Sequence, residues 1–185
     1  MPDSAARSPQ FTAPSLRFTV RRARTPDVPD IARLVSGFAD ARILLHKERV
    51  TYYEDVQEFQ VAVDGEDRVI GCGALHVLWE DLAEIRTLAV DPHWHGRGVG
   101  HSLLDLLIDR AGELGVTRLF CLTFEVSFFE RHGFHEIDGT PVQPEVYAEL
   151  LRSGDEGVAE FLDLARVKPN TLGNSRMLRE LPPRL

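Results

Sequence analysis

The feature that most constrains the fold of this chain is a glycine-rich segment between a strand-like run and an amphipathic helix. Gly96, Gly98 and Gly100 follow the run LAEIRTLAV and precede a segment whose leucines recur with helical spacing. Glycines at such a junction let the backbone turn tightly and approach a ligand. The first-turn N–H groups of the helix suit a phosphate, and Arg97 can add charge-assisted hydrogen bonds. The sequence therefore predicts a phosphate-binding helix N-terminus.

Two other phosphate-binding motifs fit this segment poorly. A P-loop requires the lysine of GxxxxGK[ST], and no such lysine follows these glycines. The dinucleotide fingerprint GxGxxG requires two residues between its second and third glycines, but only one residue separates Gly98 from Gly100. A glycine loop can also serve only to turn the chain, so the segment alone does not specify a ligand.

The order of predicted elements indicates an α/β (α+β) architecture in a single domain. Alternating residues over 17–23 predict a first strand, and the Thr-Pro-Asp triplet at 25–27 predicts the start of the first helix. The predicted order is β–α–(α)–β–β–β–α–β–α–β, then a helical insertion over 139–173 and a last strand. This order gives a mixed central sheet flanked by helices. We expect a disordered N-terminal tail over 1–16 and one domain over 17–185.

Composition excludes several classes of function. The formal net charge of −8 argues against binding of nucleic-acid backbones. No apolar run approaches the roughly 20 residues of a membrane span, and the N-terminus lacks the apolar region of a secretory signal. We therefore expect a cytoplasmic protein that binds neither nucleic acid nor membranes. Cys72 and Cys121 lie in apolar strand-like runs, which favours buried thiols, and no spacing of histidines and cysteines indicates a metal site.

Two motifs together resemble those of the GNAT acetyltransferase superfamily. His95-Gly96-Arg97-Gly98-Val99-Gly100 follows LAVDPHW and is similar to the superfamily signature [Q/R]-x-x-G-x-[G/A]. The run FFERHGF over 128–134 matches its second landmark, an aromatic residue shortly before a Gly-Phe pair. The resemblance covers residue 17 to about residue 138 and resumes at the last strand. It implies a GNAT fold and acetyl-CoA as the cosubstrate.

The resemblance also implies which residues hold acetyl-CoA. Backbone amides from Arg97 to His101 would bind the pyrophosphate, and the pantetheine arm would lie along the preceding strand. The first motif position is His95 rather than Gln or Arg, which we expect to change affinity without abolishing binding. The implied cofactor-binding residues are Leu88, Ala89, Val90, His95, Gly96, Arg97, Gly98, Val99, Gly100, His101 and Phe129.

The catalytic residues follow from what amine acetylation requires. Glu84 occupies the position where many family members carry a glutamate that deprotonates the amine through water, although a strand glutamate can also be a salt-bridged surface group. The N–H of Leu88 would stabilise the oxyanion. Many members protonate the thiolate with a tyrosine, but Phe129 stands at that position. The general acid is therefore open among Ser127, Thr123 and water.

A closer resemblance concerns the substrate. The sequence is similar to short-form bacterial N-acetylglutamate synthases, which acetylate the α-amine of glutamate or glutamine for arginine biosynthesis. The resemblance and the two carboxylates of such a substrate imply binding through Lys47, Arg86, Ser175 and Arg176. The amino-acid-kinase-like domain of the long-form enzymes does not occur in this sequence. We therefore expect no feedback through such a domain.

Two alternatives remain at the level of the sequence. The chain could be a GNAT enzyme that acetylates another amine, such as a protein N-terminus, a polyamine or an amino sugar. It could also be an acyl-CoA-binding regulator without catalysis, which the missing tyrosine would fit. Competition between amine substrates separates the first alternative, and the effect of Glu84→Gln on the rate separates the second. A homodimer is expected only from the family.

Overall fold

The computed structural model describes residues 17–40, 47–167 and 173–182. The predicted disordered tail over 1–16 lies outside the described residues. Seven strands and six α-helices are found in the described part of the chain. In order, the elements are β1 (Thr19–Arg22), α1 (Val28–Asp40), α2 (Arg49–Glu54), β2 (Phe59–Val63), β3 (Val69–Trp79), β4 (Leu82–Val90), α3 (Val99–Glu113), β5 (Arg118–Thr123), α4 (Val126–Glu130), β6 (His135–Glu136), α5 (Pro144–Leu150), α6 (Glu156–Phe161) and β7 (Ser175–Glu180).

The strands form one mixed sheet in the order β1-β2-β3-β4-β5-β7-β6. Neighbouring strands are antiparallel except for β4 and β5, which are parallel because α3 connects them across one face of the sheet. The predicted mixed sheet flanked by helices in a single domain is confirmed. The predicted start of the first helix is wrong by one turn, because residues 25–27 form a 3₁₀ turn and α1 begins at Val28.

Helix α3 covers one face of the sheet because its apolar stripe matches the helical period. Leu103, Leu104, Leu107 and Ala111 are fully buried. Each buried leucine stabilises the fold by about 1.5–3 kcal/mol. The stripe packs on the β3 and β4 residues that face it. Phe129 and Phe134, which follow β5 in the chain, belong to the same apolar cluster. This packing fixes the position of the glycine segment at the N-terminus of α3.

The opposite face of the sheet carries two separate apolar clusters. Helix α1 packs on β2, β3 and the end of β4 through Ile31 and Val35. Helix α5, through Leu150, and helix α6, through Val158 and Phe161, pack on β4, β5 and β7. The middle of β4 lies between these two clusters. Polar side chains that point to this face therefore stand between α1 on one side and α6 on the other.

Strand β4 contains a bulge and then separates from β5. Ala74 pairs with Arg86 and Cys72 pairs with Ala89, so two residues of β4 stand opposite Gly73 alone. Thr87, inside the bulge, has a φ of 58°, a conformation that costs a non-glycine residue about 1–3 kcal/mol. The parallel ladder joins only Leu82–Glu84 to Arg118–Phe120. Beyond Glu84, the edge of β4 that faces β5 is therefore open.

Candidate active site

The glycine segment forms the N-terminus of α3 in the conformation that only glycine adopts easily. Gly96 and Gly98 have φ values of 72° and 82°, and Gly98 is the N-cap residue. The N–H of Ser102 makes the first helical bond, to the carbonyl of Gly98. The N–H groups that precede it in the first turn have no acceptor within the helix. This arrangement provides the N–H donors and dipole of a phosphate-binding site.

An aromatic ring lies beside the glycine segment. A Cβ added at Gly100 would lie 3.5 Å from the ring of Phe128 and 3.7 Å from Val90. The ring of His101 lies tilted against the same ring, with centroids 4.9 Å apart, and its Nδ1 lies 2.7 Å from Nε2 of His132. Sequence reasoning assigned Phe129 to the cofactor, but its ring is buried in the core beside α3. Phe128 is the ring that borders the predicted phosphate site.

The other polar residues of the segment make local contacts. The ring Nε2 of His95 donates to the carbonyl oxygen of Val90 at 3.0 Å, which ties the motif to the end of β4. The guanidinium of Arg97 lies 5.2 Å from the centre of the Trp94 ring. Arg97 is exposed, so its charge can reach an anion at the N-terminus of α3. His95, which stands where the family motif has Gln or Arg, therefore helps to hold the loop through its hydrogen bond to Val90.

Glu84 is the acidic residue of β4, and the pKa of its carboxyl is strongly raised. Only 3% of it is exposed, and its Oε2 has no hydrogen-bond partner among the described residues. Burial raises the pKa of its carboxyl to about 7, although Arg86, His76 and Lys47 oppose the shift. A carboxylate with a pKa near neutral pH can accept and release protons at that pH. Glu84 therefore has the properties of a general base.

Arg86 lies two residues from Glu84 on β4, and two of its guanidinium nitrogens make no hydrogen bond within the described residues. Its Nη1 donates to Asp155 at 2.7 Å, and its Nη2 lies 3.5 Å from Oε2 of Glu58. Its Nε and Nη2 make no hydrogen bond within the described residues. Burial opposes ionisation of Asp155, but the hydrogen bond and charge of Arg86, together with the N–H of Val158, outweigh it and hold the pKa of Asp155 at about 2. Buried polar atoms of Arg86 and Glu84 that make no hydrogen bond within the described residues are groups that a polar ligand or a water molecule would satisfy.

The remaining predicted substrate residues lie in two places. Lys47 pairs with Asp55 at 3.4 Å, and its charge is among those that lower the pKa of Glu84. Ser175 begins β7 and pairs with Thr123 of β5. It is half-buried there, at the end of the ladder.

The structure gives Arg176 a different set of partners from a substrate carboxylate. Its guanidinium donates to the backbone carbonyls of Gly139, at 2.8 Å, and of Glu160 and Phe161. It also lies 4.9 Å from the centre of the Phe120 ring. Glu160 and Phe161 are the last residues of α6, so Arg176 caps the C-terminus of that helix. Its described contacts are those of a residue that holds the end of α6 in place.

The candidates for the general acid are not equally placed. Ser127 is exposed on α4. The hydroxyl of Thr123 is buried and accepts a hydrogen bond from the N–H of Glu125 at 2.9 Å. Ser127 can therefore reach solvent and a ligand, whereas Thr123 serves to end β5.

Sequence reasoning missed several polar residues of this site. His76 pairs with Glu84 across the β3–β4 ladder, and its Nδ1 lies 2.8 Å from Glu58. The hairpin pattern of β3 and β4 could have placed His76 beside Glu84. No local signal links Asp155 or Glu160 to Arg86, because α6 reaches the site only through the tertiary fold.

Two other kinds of site are not found in the parts of the chain that the structure describes. No group of three or more histidine, cysteine or acidic residues there could hold a metal ion. No helix in the same residues is long and apolar enough to cross a membrane.

Cys72 and Cys121 are buried and free, and burial raises the pKa of Cys72 to about 12. Such a thiol is a poor nucleophile near neutral pH.

Comparisons with known proteins agree with this geometry. The acetyltransferase (GNAT) family matches residues 30–134. An amino-acid acetyltransferase of Mycobacterium tuberculosis is 61% identical over 164 residues, which are 88% of this chain and 94% of that protein. An amino-acid acetyltransferase of Neisseria meningitidis is 35% identical over 118 residues, which cover 63% of this chain but only 27% of the longer protein.

Two solved structures complexed with coenzyme A are similar to this chain in sequence and in fold. An M. tuberculosis structure in complex with CoA and NLQ is 60% identical, with a TM-score of 0.86 over 89% of this chain and 99% of that one. The N-acetylglutamate synthase of Neisseria gonorrhoeae, complexed with coenzyme A and N-acetyl-glutamate, is 26% identical, with a TM-score of 0.70 over 90% of this chain and 35% of that one.

Proposed function

The chain belongs to the acetyltransferase (GNAT) family and is an acetyl-CoA-dependent amino-acid acetyltransferase, and we propose that it acetylates the α-amine of L-glutamate or L-glutamine. This reaction is the first step of arginine biosynthesis, and we place it in the cytoplasm. One observation carries the proposal. Glu84, a buried carboxylate with a pKa of about 7, lies on β4 beside Arg86, whose Nε and Nη2 make no hydrogen bond within the described residues, and the edge of this strand opens beyond Glu84.

The proposed chemistry begins with the substrate amine. Glu84 takes a proton from the α-ammonium through a water molecule, and the neutral amine attacks the carbonyl carbon of the acetyl thioester. A C–N bond forms, and the resulting oxyanion accepts a hydrogen bond from the N–H of Leu88 beside the strained bulge. The C–S bond then breaks, the second proton of the nitrogen passes through Ser127 or water to the thiolate, which leaves as CoA-SH, and Glu84 returns its proton to solvent.

Acetyl-CoA would bind along the path that the sheet leaves open. The pyrophosphate would accept hydrogen bonds from the backbone from Arg97 to His101, at the N-terminus of α3. The pantetheine arm would extend along the open edge of β4 from Val90 to Leu88, where backbone groups can bond it as another strand would. Phe128 borders this path, which supports it as a contact in place of the buried Phe129.

The substrate carboxylates would meet the cations near Glu84. Nε and Nη2 of Arg86 make no hydrogen bond within the described residues, although Nη2 is ion-paired with Glu58 at 3.5 Å, and a guanidinium can bind a carboxylate in bidentate fashion. Lys47 is a second cation whose charge acts on Glu84. Ser175 remains a proposed contact at the start of β7. We assign Arg176 the indirect role of holding α6, since its guanidinium donates to backbone carbonyls.

A different amine is the second candidate substrate. Glu58, Asp155 and Glu160 add acidic groups around Glu84 and Arg86, and such a surrounding would suit a cationic amine such as a polyamine. The donors of Arg86 favour an amino acid over this candidate. A homodimer remains a prediction.

The test is CoA release from acetyl-CoA by the purified protein with glutamate, glutamine, aspartate, leucine, spermidine and a peptide amine. We expect kcat/KM to be highest with glutamate or glutamine. A higher value with spermidine or the peptide would replace the proposed substrate with the second candidate. No release with any amine, together with measurable acetyl-CoA binding, would support the non-catalytic regulator.

A further inference from the structure

Two histidines and a phenylalanine form a cluster of rings beside the N-terminus of α3. His101 is in the first turn of this helix, and His132 follows α4. The ring centroids of His101, Phe128 and His132 lie 4.9, 5.0 and 5.3 Å from one another. The Phe128 ring also lies 3.5 Å from the position that a Cβ at Gly100 would take. The two imidazoles therefore stand at the end of α3 where the glycine segment offers N–H donors.

Polar contacts connect the two imidazoles to a carboxylate. Oδ1 of Asp105 lies 3.2 Å from Nδ1 of His132, and Nε2 of His132 lies 2.7 Å from Nδ1 of His101. Because a carboxylate only accepts hydrogen bonds, Nδ1 of His132 carries the hydrogen that faces Asp105. The bare Nε2 of a neutral His132 then accepts a hydrogen bond from Nδ1 of His101. These contacts leave Nε2 of His101 as the nitrogen that can take up a proton.

The surroundings of the two rings decide which one can carry a positive charge. Only 10% of the side chain of His132 is exposed, and burial lowers its pKa below the ordinary value. Asp105 opposes this shift, whereas the charges of His101 and Arg179 add to it. Arg179, on β7, also donates to the backbone carbonyl of His132. His132 is therefore neutral near pH 7, and the exposed ring of His101 is the one that ionises.

A bound phosphate would change the balance of charge around His101. The positive end of the α3 dipole disfavours a cation in the first turn, and an anion there reverses this effect. We propose that His101 takes up a proton from solvent when acetyl-CoA binds and donates a hydrogen bond from Nε2 to the pyrophosphate, with His132 as the residue that positions the His101 ring. Solvent regains the proton when CoA leaves. The inference rests on the proposed path of acetyl-CoA and is independent of the amine substrate.

The first test is the affinity for CoA, measured by titration calorimetry between pH 6 and pH 8.5 in two buffers of different ionisation enthalpy. A charge-assisted hydrogen bond that exists only in the protonated complex should make binding about tenfold tighter at pH 6 than at pH 8.5. The difference between the two buffers should show net proton uptake. Dephospho-CoA should behave alike, because it keeps the diphosphate and lacks the phosphate monoester, which itself titrates near pH 6.

Matched histidine variants give the controls for this measurement. His101→Gln should abolish the proton uptake and the tighter binding at pH 6. His135→Gln, which replaces an exposed histidine of β6, should keep both. Proton uptake that survives in His101→Gln, or that is absent when dephospho-CoA replaces CoA, would overturn the inference.

The second test concerns the positioning role of His132. His132→Gln keeps an oxygen that accepts from Nδ1 of His101, so proton uptake on CoA binding should persist. His132→Leu removes the acceptor, and a neutral His101 can then carry its hydrogen on Nε2 and donate it without a proton from solvent. Proton uptake should therefore be largely lost in His132→Leu, and equal uptake in the two variants would contradict the positioning role.

A failure of the proposed function would look different. Unchanged CoA affinity in Gly98→Ala would contradict the proposed path of acetyl-CoA and, with it, this inference. Proton-linked CoA binding by a protein that acetylates neither glutamate nor glutamine would contradict only the proposed substrate and would support the role of His101.

Discussion

Replacing Glu84 with glutamine should make the protein more stable and less active. Burial raises the pKa of Glu84 from an ordinary 4.5 to about 7. One pKa unit corresponds to about 1.4 kcal/mol, so the ionised group destabilises the fold by up to about 3 kcal/mol above pH 7. Because the folded-state pKa is the higher one, this cost is absent below pH 4.5 and grows as the pH rises through 7. Glutamine keeps the size of the side chain without the charge.

The assay combines unfolding with kinetics. Urea unfolding should give Glu84→Gln a free energy of unfolding about 3 kcal/mol above wild type at pH 8, and nearly equal values near pH 4.5. For a chain of this size the gain corresponds to about 6–12 °C in Tm. Loss of a general base should lower kcat/KM by about 10²–10⁴-fold. A variant that is less stable than wild type at pH 8, or one that keeps full activity, would refute the reasoning.

The other predictions concern the cation sites and the glycine segment. Arg176→Ala removes the cap of α6 and should cost about 2–3 kcal/mol of stability in urea unfolding; an unchanged stability would remove its structural role. Arg86→Lys keeps the charge but loses the fork of donors, so the KM for the amino acid should rise about tenfold while that for acetyl-CoA stays constant. Gly98→Ala meets no atom but forces alanine to a φ of 82°, so we expect a loss of about 1–2 kcal/mol and a raised KM for acetyl-CoA. Gly37→Ala, on the open surface of α1, is the control and should stabilise by about 1 kcal/mol.

The parts of the fold that sequence could predict depend on local patterns. The apolar stripe of α3 and the glycines before it specify a strand, a loop and a helix within one continuous stretch, 82–113. Glu84 could be proposed as a base from its place in that stretch. The bulge at Thr87 could not be predicted, because threonine seldom adopts a positive φ and only the surrounding sheet holds it there.

The contacts that complete the site are distant in sequence. Asp155 reaches Arg86 across 69 residues, and no periodicity or motif connects them. Arg176 carried the right charge for a substrate carboxylate, but its backbone partners depend on where α6 ends. The burial of Phe129 and the position of Phe128 beside Gly100 have the same origin. Adjacent residues on a short helix point to different sides, and only the packing decides which side faces the core.

The most direct measurement for the whole account is identification of the product made from acetyl-CoA and each of L-glutamate and L-glutamine, by NMR together with CoA release. The account predicts one amide at the α-nitrogen, formed in step with CoA, by wild-type protein and by a control variant, Glu145→Gln, which removes an exposed charge from α5. It predicts strongly reduced formation of that amide by Glu84→Gln. CoA release without an acetylated amino acid, or faster acetylation of a polyamine or a peptide in competition, would contradict it.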